Sequence, residues 1–386
     1  MRKINILYVI TQLELGGAQR QLLSLIRHLD RRDYNLFLFT AREGLLMEEA
    51  LSSGGLTCYR SRHLKRPINF FEDFLAMIEI LRFIKKNKID IVHTHSSKAG
   101  ILGRWAGALA KTKIVIHTVH GWSFNDFQKP FFRKLYLRLE RWSAKFTDKI
   151  IVVSNHDRQK GLDHKIGADG KYSLVRYGID RAQFGRRDPT IRKELGISDN
   201  ETVIGTIACF KPQKAPEDFV QLAFLASQVF PRAKFLMVGD GILREKIEKL
   251  IAKFNLASRF ILTGWRRDIP RVLPAMDVFV LTSLWEGMPI VVLEAIVSQV
   301  PVVATQTGGI SEIIAEGETG FLVPCHDMPS MLEKARIFLQ DTSLKERITR
   351  DARQSINEKF DTGTMVKDHE DLYQELVKTK GVMHAY

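Results

Sequence analysis

Two glutamates spaced eight residues apart, Glu286 and Glu294, are well suited to binding a ligand that carries several hydroxyl groups. They lie in the segment WEGMPIVVLE, residues 285–294. An ionised carboxylate accepts hydrogen bonds on both oxygens. We expect Glu286 on a turn after a strand, Pro289 at the first helical position and Glu294 in the second helical turn. The two carboxylates would then be too far apart to share one proton-transfer site, and would hold different parts of an extended ligand.

Backbone amides near this turn are candidates for binding an anion. We expect exposed amides at Gly287 and Met288, where the helix begins, and a second close backbone approach at Gly308-Gly309 after the next strand. The N-terminus of a helix stabilises negative charge. The sequence therefore predicts an anionic group on the same ligand.

Two lysines follow another predicted strand, in the segment KPQKAP at residues 211–216. Lys211 and Lys214 flank Pro212, and the next helix is expected to begin at Pro216. Two cations together with a helix N-terminus can neutralise a diphosphate. A solvated basic loop without a ligand is the alternative.

A glycine pair, Gly16-Gly17, stands at a strand-to-helix turn near the start of the chain. Glycines at such a turn allow a ligand phosphate to approach the backbone, although a plain turn explains them equally well. The motifs G-x-G-x-x-G and G-x-x-x-x-G-K-[ST] are absent, so neither a nicotinamide or flavin cofactor nor a P-loop is expected.

Four histidines lie at or near strand ends: His93, His95, His117 and His120. Strand alternation places His93 and His95 on one face, but no third ligand is evident, so hydrogen bonding is favoured over zinc. His117 is expected in the core, whereas His120 beside Gly121 is a candidate for the site, with a structural role as the alternative. Since D-x-D pairs are also absent, no bound metal is expected.

The elements that position these residues alternate between strand and helix along nearly the whole chain. Apolar runs of this kind predict parallel strands covered by helices, and therefore two doubly wound α/β sheets. Strands are predicted at residues 4–10, 35–41, 57–60, 90–94, 113–118, 149–154, 203–209, 234–238, 260–263, 278–282 and 302–305. Helices are predicted at residues 19–29, 71–86, 131–145, 216–230, 243–254, 289–298 and 330–339.

The length of 386 residues predicts two domains. The pattern is interrupted at residues 177–188, which places the domains at 1–180 and 181–363, with a helical tail at 364–386 that packs on either domain. Ligands of doubly wound sheets bind outside the carboxyl ends of the strands, so we expect the site in a cleft between the two sheets.

Charge is unevenly distributed. Residues 1–200 have 36 lysines and arginines against 20 acids, whereas residues 201–386 have 22 against 24. The basic half predicts an anionic partner: a phosphorylated substrate, an anionic membrane surface or nucleic acid. Nucleic acid is not expected, because no zinc-finger spacing or RNA-binding aromatic motif is present.

Two basic segments are candidates for a membrane surface. Residues 129–142 predict an amphipathic helix, which either lies on anionic lipid or packs its apolar side on the sheet. Residues 60–67 form a basic loop that is hard to bury, and it would contact either lipid headgroups or a phosphorylated acceptor. No apolar run is long enough to span a membrane, and three scattered cysteines indicate a reducing compartment. We therefore expect a cytoplasmic protein, peripherally attached to the inner membrane face.

Taken in order, these motifs resemble the family-four retaining glycosyltransferases of GT-B fold (glycosyl transferases group 1). The resemblance runs from Gly16-Gly17 to about Phe360, and the E-x7-E spacing from Glu286 to Glu294 is its centre. The other similar motifs are Gly16-Gly17-Ala18, His93-Thr94-His95, His120-Gly121, Val153-Ser154, Tyr177-Gly178-Ile179-Asp180, Gly239-Asp240-Gly241, Pro301-Val302-Val303-Ala304-Thr305 and Gly308-Gly309.

The resemblance implies an enzyme that transfers a sugar from a UDP- or GDP-sugar, held mainly by the C-terminal domain, to a cell-envelope glycan or lipid-linked acceptor, held mainly by the N-terminal domain. It implies retention of the anomeric configuration, without metal or cofactor. By the resemblance, Glu294 would hold the ribose, and Lys214 and the amide of Gly17 would bind the diphosphate. Glu286 and the backbone of Gly287, Met288 and Pro289 would bind the transferred sugar. His120 would contact that sugar beside the reacting carbon.

One position departs from the family pattern. Cys209 stands where the family usually has an arginine, and a thiol cannot bind phosphate as an arginine does. Lys211 is the candidate substitute. The alternatives are a GT-B epimerase or phosphorylase, and a sugar-nucleotide-binding protein that has lost activity.

Overall fold

The structure, a computed structural model, describes residues 2–185 and 188–382. The chain divides into two units, Met1–Gly178 with Thr362–Tyr386, and Ile179–Asp361. Residues 186–187 of the predicted boundary and 383–386 of the predicted tail lie outside the described residues.

Within the described part of the first unit, seven strands form a parallel sheet in the order β3-β2-β1-β4-β5-β6-β7. Alternating side chains of the first strand face opposite sides, with Ile6 and Tyr8 in one core and Leu7 and Val9 in another. The strands are β1 (Ile4–Val9), β2 (Tyr34–Ala41), β3 (Leu56–Ser61), β4 (Ile91–His95), β5 (Ile114–Val119), β6 (Lys149–Val152) and β7 (Tyr172–Leu174).

Helices cover both faces of this sheet. α1, α2 and the C-terminal α14 share one core, while α3 and α4 share the opposite one. α4 contacts both α3 and α5. The helices are α1 (Gly17–His28), α2 (Met47–Leu51), α3 (Phe70–Lys86), α4 (Ser97–Leu109), α5 (Pro130–Ser143), α6 (Asn155–Asp163) and α14 (Thr362–Thr379).

The described part of the second unit contains a six-stranded parallel sheet in the order β10-β9-β8-β11-β12-β13. Its strands are β8 (Thr202–Ile207), β9 (Ala233–Val238), β10 (Phe260–Leu262), β11 (Val278–Leu281), β12 (Val302–Thr305) and β13 (Phe321–Val323). Its helices are α7 (Ile191–Glu194), α8 (Pro216–Val229), α9 (Arg244–Lys253), α10 (Ile269–Val272), α11 (Ile290–Val297), α12 (Met328–Gln340) and α13 (Thr342–Ser355). The prediction of two doubly wound α/β sheets is confirmed.

The C-terminal helix α14 belongs to the core of the first unit. Its Met365, Leu372 and Tyr373 are buried against the sheet. The hydroxyl of Tyr373 lies 2.7 Å from Nδ1 of His93 on β4 and 3.2 Å from the hydroxyl of Tyr8 on β1. The buried hydroxyl of Tyr373 thus has hydrogen-bond partners inside the core.

None of the helices in the described residues has the length and the apolar character needed to cross a bilayer.

Candidate functional site

Both sheets reverse their strand order at one place, and ligands of doubly wound sheets bind in the crevice at that place. In the second unit the order reverses between β8 and β11. The loops that leave these two strands carry Lys211 and Lys214 in one case and the Glu286 turn in the other. This unit therefore brings together Lys211, Lys214 and the Glu286 turn, whereas Gly16 and Gly17, which were also selected from sequence, lie in the first unit.

Lys214 and Glu286 form an ion pair between Nζ and Oε1. Their side chains are 16% and 7% exposed, so both charges are largely removed from water. Breaking such a pair by removing one partner leaves the other charge uncompensated, which is costly. The pair therefore links the two loops firmly.

Further hydrogen bonds join the same two loops. Lys214 ends the short 3-10 turn Pro212–Lys214, and its carbonyl accepts from the hydroxyl of Thr282 (2.9 Å). The side-chain Nε2 of Gln213 donates to the backbone carbonyl of Trp285 (2.7 Å). The positions of the lysine and the carboxylate are thus set by the backbone as well as by their own contact.

The Glu286 turn is also supported by the loop after β12. Gly308 has a φ of +55°, and a Cβ there would lie 1.9 Å from the carbonyl oxygen of Glu286. The amide of Gly309 donates to the carbonyl of Gly287 (2.9 Å). The close backbone approach predicted for Gly308-Gly309 exists, and in this structure it is made to the Glu286 turn.

Helix α11 begins at Ile290, and Pro289 is its N-cap. The prediction of Pro289 as the first helical residue is therefore wrong by one position. Gly287 and Met288, whose amides were expected to be exposed, are buried as whole residues.

Glu294 lies in the middle of α11 and is 1% exposed, in a helix whose other residues are apolar. Burial of a carboxylate costs free energy unless hydrogen bonds satisfy it. A charged residue in an otherwise apolar, buried helix is unfavourable for folding, and such residues are typical of functional positions.

Lys211 and Cys209 lie on the loop that leaves β8, both partly buried. The amide of Lys211 donates to the carbonyl of Cys209 (2.8 Å), and its carbonyl accepts from the amide of Lys214 (2.9 Å). Lys211 thus helps to form the turn that presents Lys214.

In the first unit the strand order reverses between β1 and β4. Helix α1 begins at Gly17 after β1, with Gly16 as an N-cap that offers no side chain. No side chain of the N-cap therefore bonds to the first amides of α1, which the sequence predicts as an anion site. The loops after the two strands are joined by the hydroxyls of Thr11 and Ser96, 2.9 Å apart.

His120 is held on both ring nitrogens. Its Nε2 lies 2.9 Å from Nδ1 of His95, and its Nδ1 lies 2.7 Å from the hydroxyl of Tyr177. A sugar hydroxyl that bonds to either nitrogen would replace one of these contacts. Sequence reasoning missed the part played by Tyr177, although the residue stands in the quoted motif Tyr177-Gly178-Ile179-Asp180.

The histidines of the two strands, His93, His95 and His117, form hydrogen bonds inside the first unit. His93 bonds through Nε2 to the hydroxyl of Thr118 (2.7 Å), and its ring centroid is 4.4 Å from that of His95, which lies on the same face as predicted. His117 is buried, as predicted for the core, with Nδ1 2.9 Å from the hydroxyl of Thr94.

Burial makes the whole imidazole cluster neutral near pH 7. Desolvation, followed by the charge of His369, lowers the pKa of His120 to about 3, and desolvation lowers the pKa of His369 to about 4. The pKa values of His93, His95 and His117 lie well below the usual range for the same main reason. These side chains act as neutral hydrogen-bonding groups.

Among residues 2–185 and 188–382 no group of three or more histidine, cysteine, aspartate or glutamate side chains is arranged to hold a metal ion.

Comparison with known families covers both units. The model described as Glycosyltransferase Family 4 matches residues 15–183, and the model described as Glycosyl transferases group 1 matches residues 187–355. The chain belongs to the family-4 glycosyltransferases of GT-B fold, and the resemblance noted from its motifs is confirmed.

Individual relatives agree with this membership. The chain is 32% identical, over 384 residues and 98% of both chains, to the UDP-Gal:alpha-D-GlcNAc-diphosphoundecaprenol alpha-1,3-galactosyltransferase of Escherichia coli. It is 28% identical to the N-acetyl-alpha-D-glucosaminyl L-malate synthase of Bacillus anthracis, over 79% of this chain and 80% of the relative. The crystal structure of Anabaena Alr3699/HepE in complex with UDP and glucose shares the fold, with a TM-score of 0.83 at 19% identity over 96% of this chain and 100% of that one.

Proposed function

We propose that this glycosyltransferase moves a sugar from a nucleotide-diphosphate sugar to a lipid-linked or other cell-envelope glycan, with retention of the anomeric configuration and without a metal ion. The observation that carries the proposal is the Lys214–Glu286 pair at the strand-order reversal of the second unit. The E. coli relative, named for UDP-Gal and a diphosphoundecaprenol acceptor, supports the substrate class.

The paired residues can serve the donor together. An ammonium group has three hydrogens, so Lys214 keeps two for phosphate oxygens while it remains bonded to Glu286. Glu286 keeps its second oxygen for a hydroxyl of the transferred sugar. We infer that Glu294 holds the ribose, and that Lys211, Gly287, Met288 and Pro289 complete the donor site.

The reaction breaks the bond between the anomeric carbon and the diphosphate oxygen. The acceptor oxygen forms its bond on the same face of the sugar, and its proton passes to the departing phosphate oxygen. Negative charge grows on the diphosphate as this bond breaks. A preset Lys214 therefore stabilises the transition state more than the ground state.

Residues of the first unit have proposed roles as well. The amides at Gly16 and Gly17 contact the diphosphate, and His120 contacts the sugar beside the reacting carbon as a neutral hydrogen-bonding group. We propose that this unit binds the acceptor. Since we propose a lipid-linked acceptor, we also propose that the enzyme is attached peripherally to the cytoplasmic face of a membrane.

Transfer assays test the proposal. UDP-, GDP- and other nucleotide sugars are first screened by thermal shift, since a ligand that binds the native state raises its melting temperature. The stabilising donor is then incubated with and without a diphospholipid-linked GlcNAc. Product that forms only with acceptor, with retained configuration by NMR, is the expected result.

The same assays separate the alternatives. Product without acceptor would indicate an epimerase, and release of a sugar phosphate when inorganic phosphate is the acceptor would indicate a phosphorylase. Donor binding without any turnover would indicate a protein that has lost activity, for which Cys209 in place of the usual arginine is the first residue to test by Cys209→Arg.

A further inference from the structure

An unusual group of exposed apolar side chains surrounds the start of α3 in the first unit. Phe70 is 88% exposed and Phe71 71% exposed, and Ile68 and Phe74 are more than half exposed. We call these four residues the α3 aromatic patch. Contiguous exposed apolar surface of this kind marks an interaction site.

The patch is built into the helix. Asn69 is the N-cap of α3, and its side chain accepts hydrogen bonds from the amides of Phe71 and Glu72. Residues three and four apart share a face of a helix, so Phe74 lies beside Phe70 and Phe71. The opposite face of α3 is occupied by the buried residues Ala76, Ile80 and Ile84. The aromatic side chains are therefore held outward by a helix that is already anchored in the core.

Helix α5 presents a second outward apolar stripe on the same side of the sheet. Phe131, Phe132 and Leu135, in the first two turns of α5, are exposed and share one side of the helix. Its inner side carries Glu140, which forms a buried ion pair with Arg104 of α4 (2.7 Å). The alternative that residues 129–142 pack their apolar side on the sheet holds for Tyr136 and Leu137, which pack against the core, but not for these three exposed side chains.

The surroundings of both stripes are cationic. Arg62, Lys65 and Arg66 are exposed just before α3, and Lys134, Arg138 and Arg141 are exposed along α5. The acidic residues in the first turn of α3 are paired internally. Glu72 contacts His63 (2.9 Å) and Lys65 (3.4 Å), and Asp73 is bonded to Lys98 of α4 (2.5 Å).

We propose that the α3 aromatic patch and the α5 stripe together form the surface by which the first unit docks on an anionic lipid bilayer. Aromatic side chains enter the boundary between headgroups and acyl chains, and the flanking cations contact anionic headgroups. The inference rests on the peripheral attachment proposed above. It names α3 as a principal contact, which the two basic segments selected from sequence did not include.

This surface explains how a lipid-linked acceptor reaches the site. α3 and α5 begin where β3 and β5 end, at the carboxyl edge of the parallel sheet. Gly17 follows β1 and His120 follows β5 at that same edge. Docking through the starts of α3 and α5 therefore brings the carboxyl edge close to the headgroups, where the diphosphate of a lipid-linked acceptor lies.

Vesicle flotation of the full chain tests the surface. The lipids are phosphatidylcholine alone and phosphatidylcholine with phosphatidylglycerol. The triple variant Phe70→Ser, Phe71→Ser, Phe74→Ser should lower partitioning onto the anionic vesicles at least about tenfold, with an unchanged melting temperature. Phe71→Trp should retain binding. Leu51→Ser on α2 is the matched control, since Leu51 is an exposed apolar residue on the opposite face of the sheet.

Charge is tested separately by Arg62→Gln with Arg66→Gln, which should weaken binding at low salt and reduce its salt dependence. Binding of the triple variant equal to wild type, or equal loss in Leu51→Ser, would overturn the proposal. A third result would also overturn it: the wild-type protein self-associates, does not bind vesicles, and loses the self-association in the triple variant. The patch would then join two copies of the chain. Stabilisation by UDP, measured on the same variants, reports the donor site independently of vesicle binding.

Discussion

The ammonium nitrogen of Lys214 is bonded to a carboxylate oxygen of Glu286, which lies 72 residues further along the chain on the loop after a different strand. Each residue had been selected from sequence for its own motif. Their contact shows that the two motifs form one structural unit, in which a change at one residue alters the position and charge of the other.

Substitution of the paired residues should therefore be non-additive. Glu286→Gln and Lys214→Met should each lower kcat/KM by about 100-fold, the former chiefly through kcat. The double variant should lose much less than the product of the two single effects, because residues in direct contact are coupled. Lys246→Met is the control, since Lys246 forms an exposed pair with Glu217 in the same unit. Independent effects on kcat/KM would contradict a shared role.

Glu294 should act on donor affinity. Glu294→Ala and Glu294→Gln should raise the Kd for the nucleotide by roughly tenfold or more, since a hydrogen bond to a charged group contributes about 1.5–3 kcal/mol. Calorimetric titration with UDP or GDP measures the change, and circular dichroism should show an intact fold. Unchanged nucleotide affinity in both variants would remove Glu294 from the donor site.

Gly308 should be intolerant of a side chain. Gly308→Ala places a methyl group against the carbonyl of Glu286, in addition to adopting a positive φ. Gly317→Ala is the matched control, because its φ is +76° and nothing lies within 4 Å of the added Cβ. The control should lower the free energy of unfolding by about 1–2 kcal/mol, and Gly308→Ala should lower it further and also lower kcat/KM. Equal stability and activity in the two variants would show that the Glu286 turn does not depend on this contact.

On acidification, the free energy of unfolding should begin to fall at a higher pH than the protonation of carboxylates alone would cause. The pKa values of five buried histidines are lowered on folding, to about 3 for His120 and about 4 for His369. The unfolded chain binds more protons between these values and about 6.5, so the free energy of unfolding should fall as pH decreases below about 6.5. Each histidine contributes up to about 1.4 kcal/mol per pH unit.

Urea titrations at pH 7.5, 6.5, 5.5 and 4.5 measure this dependence. His369→Gln should reduce the number of protons taken up on unfolding by about one, because the lowered pKa of this histidine no longer contributes. A free energy of unfolding that stays flat from pH 7.5 to 5 would contradict the burial of neutral histidines.

EDTA should leave the transfer rate unchanged, because the proposal assigns the neutralisation of the diphosphate to Lys214 and helix N-termini. The measurement compares initial rates with EDTA and with added Mg²⁺ or Mn²⁺. A rate abolished by EDTA and restored by a divalent cation would show that an ion performs this task.

Periodicity and motifs predicted the doubly wound sheets and most of their strands, because buried parallel strands are apolar on both faces. Helix α4 was not among the predicted helices. Its glycines Gly100, Gly103 and Gly107 look like interruptions in the sequence, yet a Cβ at Gly100 would lie 2.5 Å from the ring of His117 and one at Gly103 2.6 Å from Thr94. They allow α4 to approach the sheet closely. Strands β7 and β13, of three residues each, were also not predicted, although β10 has the same length and was.

The residues of the candidate site were selected by type, whereas the contacts between them were not predicted. Spacing selected Glu286, Glu294, Lys214 and His120, since the chemistry of carboxylates, lysine and histidine is visible in sequence. The bond between Lys214 and Glu286 and that between His120 and Tyr177 join residues 72 and 57 positions apart. Such contacts depend on strand order, which a single sequence does not specify.

The position of α14 affects the order in which the chain is made and folded. Residues 2–178 leave the ribosome first, but the tyrosine that bonds to His93 is synthesised about two hundred residues later. The second unit, whose residues are continuous in sequence, has all its strands by then. We therefore expect the nascent first unit to expose the apolar surface that α14 covers until α14 is synthesised. Chaperones are expected to bind this surface in the meantime.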